Sequence, residues 1–248
     1  MIVIKKILLI FVTTLITSGL MAQNAKLNYQ KGVEAFAAKS YTEAFVYFQK
    51  AANENYVYAQ YMLGECYYNG RGVTKNEKKA VEWYQKAAIQ GNAKAQCMLG
   101  LCYQFGSGVT KNEQKAIEWY MKAANLGDVN AQAMLGDCYY IGNCVVKNVK
   151  KAVEWYQKAA AQGDTNSQLL LAFCYFKGDG VEKNEQRAFE WCQKAANQGD
   201  AASQYVLGVW YHNGVGVPKN KQKAVEWLKK AAAQGNENAK DALKTLGE

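Results

Sequence analysis

Seven cysteines and a single histidine are the residues of this chain best suited to metal binding or nucleophilic chemistry. Four of the cysteines recur at intervals of 36 residues, as Cys66, Cys102, Cys138 and Cys174. Equivalent positions in stacked helical units lie about 8–10 Å apart, whereas the Cα atoms of a disulfide lie within about 7 Å. We therefore interpret these four cysteines as small buried thiols and not as a disulfide framework.

The spacing of the remaining residues gives little support to a metal site or a catalytic centre. The chain contains no CxxC pair, and His212 alone cannot complete a zinc site. We expect Cys97 and Cys192 to be packing residues as well, whereas Cys138 and Cys144 are close enough along the chain to form a disulfide. No serine is followed three residues later by lysine, as the β-lactamase nucleophile is. The sequence predicts no catalytic residue, no metal site and no cofactor.

Basic residues form three columns, which are sets of positions 36 residues apart. The columns that begin at Lys79 and Lys86 flank a glutamate column that begins at Glu82. Because a glutamate four residues before a lysine is the favourable helical order, we interpret these charges as a solvated outer face. The third column lies at loops, has no acidic column beside it, and is the better candidate for contact with an anionic surface. It consists of Lys75, Lys111, Lys147, Lys183 and Lys219.

A strict sequence period reveals the elements that must position these residues. Five tryptophans follow one another at 36-residue intervals, and a glycine and a tyrosine keep nearly the same register. A period of this length indicates stacked supersecondary units, none of which can bury its apolar face alone. The tryptophans are Trp83, Trp119, Trp155, Trp191 and Trp227.

Each period predicts two helices and the loop that joins them. In the first full copy, Leu63 and Cys66 belong to the apolar stripe of the first helix. Gly64 in the same helix lets the partner helix approach closely. Asn76 is a good N-cap for the second helix, which ends before Gly91, a natural left-handed residue. We therefore expect an all-α protein.

The repeated string strongly resembles the Sel1-like repeat family, a longer-loop relative of the tetratricopeptide repeat. The resemblance implies a right-handed α-solenoid of antiparallel helix pairs, with five 36-residue repeats over residues 58–236. Residues 26–55 look like a tetratricopeptide-like unit whose loop is four residues shorter, and residues 237–248 should form a capping helix. The residues that match in the second copy are Ala95-Gln96, Leu99-Gly100, Tyr103, Gly106-Ser107-Gly108-Val109, Lys115-Ala116, Trp119-Tyr120, Lys122-Ala123-Ala124 and Gly127.

Two copies depart from the family pattern. Ala172 replaces the helix glycine in the fourth copy, which predicts a slightly wider helix pair there. The third copy has Gly142-Asn143-Cys144 where the other copies have Gly-x-Gly. Because a left-handed backbone at Cys144 would be strained, we expect a rearranged loop in this copy.

A cysteine-rich branch of the same family is similar in architecture and is associated with penicillin binding or hydrolysis. That branch ties each repeat with cysteines eight residues apart, at positions that are Ala88 and Gln96 in the first copy here. No copy of this chain has cysteines there. The departure weakens the implied activity, so we expect a protein that is not an enzyme, and a penicillin-binding or β-lactamase-like hydrolase is the alternative.

The inner face of the array is where we expect a partner to bind. In tetratricopeptide-like arrays the first helices line the concave side, and ligands usually lie there. Four inner positions, three before and one, four and five after the helix glycine, vary between copies and are rich in aromatics. Such positions suit recognition, and packing on neighbouring first helices is the competing interpretation. The predicted partner-binding residues are Tyr61, Tyr68, Phe105, Tyr140, Phe173, Phe176, Tyr205 and His212.

The first 22 residues differ in composition from the rest. Lys5 and Lys6 precede an apolar run from Ile7 to Ile16, and small residues follow up to Ala22, which indicates a secretory signal peptide cleaved after Ala22. The run is short for a transmembrane helix, which needs about 20 residues. We therefore expect a periplasmic or secreted protein without a transmembrane span after cleavage, and an uncleaved N-terminal membrane anchor is the alternative.

The formal net charge of +9 limits the classes of partner. A basic balance suits nucleic acid, an anionic membrane surface or an acidic polymer, and export makes nucleic acid the least favoured of these. We therefore predict an extracytoplasmic scaffold that binds a protein or peptide through its concave face, and no nucleic acid. A structural protein that binds the envelope or an anionic glycan through the loop lysines is the second alternative.

Overall fold

The computed structural model describes residues 21–248, and every regular element in that part of the chain is an α-helix. The predicted signal peptide, residues 1–22, lies outside the described residues except for its last two positions. No helix within residues 21–248 has the length and apolar character required to cross a membrane.

The helices follow one another as antiparallel pairs. In the first pair, α1 occupies residues 21–37 and α2 spans Tyr41–Asn53. The first helices of the next five pairs are α3 (Val57–Asn69), α5 (Ala93–Phe105), α7 (Val129–Ile141), α9 (Thr165–Lys177) and α11 (Ala201–Asn213). Their second helices are α4 (Glu77–Ile89), α6 (Glu113–Asn125), α8 (Val149–Ala161), α10 (Glu185–Asn197) and α12 (Lys221–Ala233). The last helix is α13 (Glu237–Thr245).

The chain divides into two compact units. The first unit ends at Leu126 and contains α1 to α6, and the second runs from Gly127 to Glu248 and contains α7 to α13. Each unit has a core of alanines and larger side chains between its helices. In the second unit, α13 packs on Leu228 through Ala239 and Leu243.

Local signals fix the helix ends. The side chain of Asn76 accepts a hydrogen bond of 3.0 Å from the backbone N–H of Lys79, and an asparagine does the same at the start of the four later second helices. Gly91, two residues after the end of α4, has φ +86°, the left-handed conformation that the sequence predicted. The loop between α1 and α2, residues 38–40, is four residues shorter than the loop at 70–76, also as predicted.

The helix glycine and a tyrosine of the second helix form one close contact in each of the first three long-loop pairs. A Cβ atom added at Gly64 would lie 2.5 Å from the Tyr84 ring, so only glycine fits there. In the fourth pair the tyrosine is replaced by Cys192, and Ala172 and Cys192 are both fully buried. The smaller thiol makes room for the alanine methyl, so the predicted widening is not required.

The loops approach the preceding second helix through their second glycine. A Cβ atom at Gly108 would overlap the carbonyl group of Glu77. Within residues 21–248, the non-glycine residues with positive φ are Lys39 and Asn55. Cys144 is therefore not left-handed, so the backbone of this loop differs at that position from the four copies that have a glycine of positive φ there.

Candidate functional site

A small pocket in the second unit brings two predicted partner-binding residues together. Tyr140 on α7 and Phe173 on α9 lie on consecutive first helices, at positions that the sequence predicts to face inward. Lys177 adds a cation on the exposed end of α9. The second-unit pocket has a volume of about 270 Å³ and is lined by Tyr140, Tyr156, Leu170, Phe173, Cys174 and Lys177.

In the first three long-loop pairs, a polar residue of the first helix accepts a hydrogen bond from the buried tyrosine of the second helix. The Tyr156 hydroxyl donates a hydrogen bond of 2.8 Å to Oδ1 of Asp137. Burial raises the pKa of Asp137 above its ordinary value, and the hydrogen bond from Tyr156 opposes that shift. In the first unit Tyr84 donates to Glu65 at 2.5 Å. These polar inner residues therefore position a core tyrosine, which competes with any role in ligand recognition.

Trp210 organises the other aromatic residues of the second unit. Phe176 stacks on its ring with centroids 5.5 Å apart, and Phe173 meets it edge-on at 6.2 Å. For Phe176 the packing interpretation therefore accounts for the side chain. Sequence reasoning missed Trp210, although it stands 36 residues after Cys174 and so occupies the cysteine column.

The two predicted residues on α11 do not join the second-unit pocket. Tyr205 is half-buried and packs against the cluster that contains Leu228. His212 is exposed near the end of α11. Neither residue is in the lining of the second-unit pocket.

In the first unit, the predicted aromatics surround a different tyrosine. The rings of Tyr61 and Tyr68 lie 6.1 and 6.4 Å from the ring of Tyr84. Phe105 is 70% exposed at the end of α5.

Tyr61 also lines a larger cavity, the first-unit pocket, of about 510 Å³. Sequence reasoning missed two of its aromatics, because Tyr29 comes from α1 and Tyr58 is not at an inner position. The first-unit pocket is lined by Tyr29, Val57, Tyr58, Tyr61, Met62, Gln90, Gly91, Asn92, Ala93, Lys94 and Leu126.

Three of the loop lysines have acidic partners, so the prediction of an unpartnered column was wrong for them. All five lysines are exposed. In the third and fifth copies, Val149 and Lys221 stand where the others have glutamate, so Lys147 and Lys219 lack this partner. Because three of the five lysine charges are neutralised by a neighbouring glutamate, contact of this column with an anionic surface is less favoured than the sequence indicated. The salt bridges are Lys75–Glu77, Lys111–Glu113 and Lys183–Glu185, at 2.7–2.8 Å.

The outer lysines lie mainly over aromatic rings. The Nζ atom of Lys86 is 3.9 Å from the centroid of the Trp83 ring, and the four later copies repeat this cation–π contact at 3.9–4.2 Å. In the described residues, the predicted pairing of the glutamate column with this lysine column forms a salt bridge only between Glu226 and Lys230. The outer columns therefore cover the tryptophans as well as facing solvent.

None of the seven cysteines is in a disulfide, and six of them are buried. The interpretation of the cysteine column as core thiols is confirmed, and Cys138 and Cys144 are not bonded to each other. Burial raises the pKa of Cys66 and of Cys102 to about 12. Within the described residues, no group of three or more cysteine, histidine or carboxylate side chains is arranged to hold a metal ion.

We expect thiol titration of the native protein to detect one reactive cysteine. Cys144 is partly exposed, whereas the six buried thiols are shielded from a reagent, and burial raises the pKa of four of them, Cys66, Cys102, Cys174 and Cys192. A chromogenic disulfide reagent should therefore label one thiol rapidly, and all seven after unfolding without reductant. The Cys144→Ser variant should lose the rapid phase. A total of five thiols in the unfolded wild-type protein would show a disulfide and contradict this assignment.

The short-loop and long-loop helix pairs, with their helix glycines, define a tetratricopeptide-like helical repeat protein. Within that class, the chain belongs to the Sel1 repeat family. The sequence model of the Sel1 repeat matches six consecutive segments, the first of which contains the short-loop pair of α1 and α2. The segments are residues 21–56, 57–92, 93–128, 129–164, 165–200 and 201–236. The predicted family and the predicted α-solenoid fold class are thereby confirmed. Sel1 repeats form scaffolds that are typical of protein–protein interaction and are generally not enzymes.

Solved structures with the same fold are similar over most of the chain. A protective antigen of uropathogenic Escherichia coli strains has a TM-score of 0.83 and 35% identity, over 90% of this chain and 50% of that one. A Sel1 repeat protein from Oxalobacter formigenes has a TM-score of 0.78 and 36% identity, over 86% of this chain and 84% of that one.

A shorter match is found with a curated mammalian protein. DAP3-binding cell death enhancer 1 of Rattus norvegicus is 48% identical over 50 residues, which are 20% of this chain and 10% of that protein. The chain therefore matches half of the E. coli antigen and a tenth of the rat protein. These likenesses concern the repeat fold.

Proposed function

We propose that this protein is an extracytoplasmic scaffold that binds a segment of a partner protein through the concave face formed by its first helices. The second-unit pocket carries this proposal. Its walls include Tyr140 and Phe173, which come from adjacent first helices at positions that vary between repeats. Its volume of about 270 Å³ is slightly below the range of about 300–1,000 Å³ for small-molecule sites. An anchoring apolar side chain of a peptide therefore suits it better than a free ligand.

The extracytoplasmic location rests on the composition of residues 1–22, with the basic pair Lys5 and Lys6 before the apolar run. The mature chain would begin after Ala22, close to the start of α1. The N-terminal sequence of the exported protein tests this location, and a chain that retains residues 1–22 in the membrane fraction would favour the anchored alternative.

Nitrocefin turnover by the purified protein tests the hydrolase alternative directly. The alternative of anionic-glycan binding depends on Lys147 and Lys219, the two loop lysines that have no glutamate two residues later. Binding of that kind would fade steeply as the salt concentration rises.

We expect the variant that combines Tyr140→Ala with Phe173→Ala to bind the native partner at least tenfold more weakly. Loss of an aromatic anchor at an interface commonly costs more than about 1 kcal/mol, and about 1.4 kcal/mol corresponds to tenfold in Kd. Partners captured from an envelope extract would be identified by mass spectrometry, and their affinities would then be measured with purified components.

Tyr47→Ala is the matched control, because Tyr47 is a half-buried aromatic on the second helix α2. Helical content and melting temperature would be compared for all variants. Unchanged affinity of the folded double variant would remove the second-unit pocket from the proposed binding surface.

A further inference from the structure

A ladder of glutamine side chains ties the end of the second helix to the first helix in four of the five long-loop repeats. The glutamine after the second helix donates its Nε2 hydrogen to Oε1 of a buried glutamine on the first helix. Gln162 and Gln234 also donate to the backbone carbonyls of Gly127 and Gly199, at 3.2 and 2.9 Å. The four ladder pairs are Gln90–Gln60, Gln162–Gln132, Gln198–Gln168 and Gln234–Gln204, at 2.7–2.9 Å.

The ladder is interrupted in the repeat at 93–128, where Leu126 replaces the donor glutamine. Gln96 still donates to the carbonyl of Ala88 at 3.0 Å, but its Oε1 atom is buried without a hydrogen-bond partner. Gln162 and Gln234 each donate to the carbonyl of the glycine 35 residues earlier in the chain. A glutamine at position 126 would by the same spacing reach the carbonyl of Gly91. An acceptor that loses water without gaining a donor is unfavourable, so Leu126 leaves Oε1 of Gln96 and the carbonyl of Gly91 without the glutamine N–H group that a ladder repeat would supply.

The interruption lies at the first-unit pocket. Gly91 and Leu126 both line this pocket, and its other walls include Tyr58 and Tyr61. Leu126 is 58% exposed and Tyr58 is 54% exposed, so apolar surface faces solvent on two sides. Lys94 adds a positive charge to the lining, and in the described part of the chain it forms no salt bridge.

We propose that the first-unit pocket binds a peptide segment of a partner protein in which an apolar side chain is followed by an acidic residue. The tyrosines and Leu126 provide contact for the apolar side chain, and Lys94 pairs with the carboxylate. A backbone amide of the peptide donates to the carbonyl of Gly91. A peptide supplies all three groups in adjacent positions, whereas an acyl chain or an anionic glycan supplies only part of the set. This site is separate from the second-unit pocket and extends the proposed function.

Labelled synthetic peptides test the proposed chemistry without the native partner. Ten-residue fluorescein peptides of glycine and serine would carry a central Phe-Glu, Phe-Lys or Ala-Glu pair. We expect fluorescence anisotropy to show that the Phe-Glu peptide binds the whole protein at least tenfold more tightly than either comparison peptide. Equal affinities, or no binding of the Phe-Glu peptide, would overturn the proposal. Displacement of the probe by myristate or a sulfated oligosaccharide without any preference among peptides would do so too.

Three substitutions locate the site. Lys94→Glu is a surface change, and it should reverse the preference so that the Phe-Lys peptide binds more tightly. Tyr58→Ala should weaken binding of the Phe-Glu peptide about tenfold, whereas the control Tyr47→Ala should not. Leu126→Gln should complete the ladder, raise the Tm by about 2–4 °C and weaken peptide binding, because the carbonyl of Gly91 is then occupied. A Lys94→Glu protein that keeps the wild-type preference would contradict the site even if the other variants fold poorly.

Discussion

Replacement of Gly108 by alanine is expected to destabilise the folded protein by about 2–5 kcal/mol. Gly108 has φ +73°, where an alanine costs about 1–2 kcal/mol. The new Cβ atom would also overlap the Glu77 carbonyl group and lie 2.8 Å from the backbone nitrogen of Lys78. Because these are backbone atoms at the start of α4, they cannot rotate away, and overpacking of this kind adds about 1–3 kcal/mol.

Gly91→Ala is the matched control for this substitution. Gly91 has φ +86° as well, but a Cβ atom there would meet no heavy atom within 4 Å. This variant should therefore carry only the conformational cost, about 1–2 kcal/mol. Urea unfolding followed by circular dichroism would measure both changes. Equal losses at the two positions would show that the loop of one repeat does not press against the second helix of the preceding repeat.

These two glycines show what the sequence can predict and what it cannot. The left-handed role of Gly91 is a local signal, since a glycine follows a helical stripe and an asparagine cap follows the glycine. The stripe, the caps and the 36-residue period are local in the same sense, and they predicted the helix pairs. The constraint on Gly108 comes from Glu77, which is 31 positions earlier, and only the packing of successive repeats brings the two together.

The candidate site shows the same division between local and long-range information. Tyr140 and Phe173 were predicted because inner positions follow from the repeat register. Tyr29 was missed because it reaches the first-unit pocket from α1, whose alignment with the longer repeats is offset by the short loop. The pairing of Lys75 with Glu77 was missed for a different reason. It joins residues two apart across a helix start, whereas the favourable glutamate–lysine order applies to pairs four apart on a helix face.

Replacement of Gly100 by alanine should destabilise the protein by up to about 2 kcal/mol, although alanine is the better helix former. A Cβ atom at Gly100 would lie 2.5 Å from two carbons of the Tyr120 ring. That ring is fully buried, and its hydroxyl donates to Gln104 at 2.6 Å, so it has little freedom to move. The helix propensity of alanine contributes about 1 kcal/mol in the opposite direction, and overpacking outweighs it.

The fourth repeat supplies the expected rescue of this variant, because Ala172 faces Cys192 there instead of a tyrosine. Tyr120→Cys alone should leave a cavity and destabilise the protein by about 2–4 kcal/mol. In that background the ring no longer opposes the methyl group, so adding Gly100→Ala should stabilise the protein by about 1 kcal/mol. A double-mutant cycle in urea measures the coupling, and additive losses would contradict it. If Gly100→Ala destabilises the wild-type protein but stabilises the Tyr120→Cys variant, the glycine and the tyrosine pack as a coupled pair. The Ala172–Cys192 pair of the fourth repeat would then be an alternative packing at the equivalent positions.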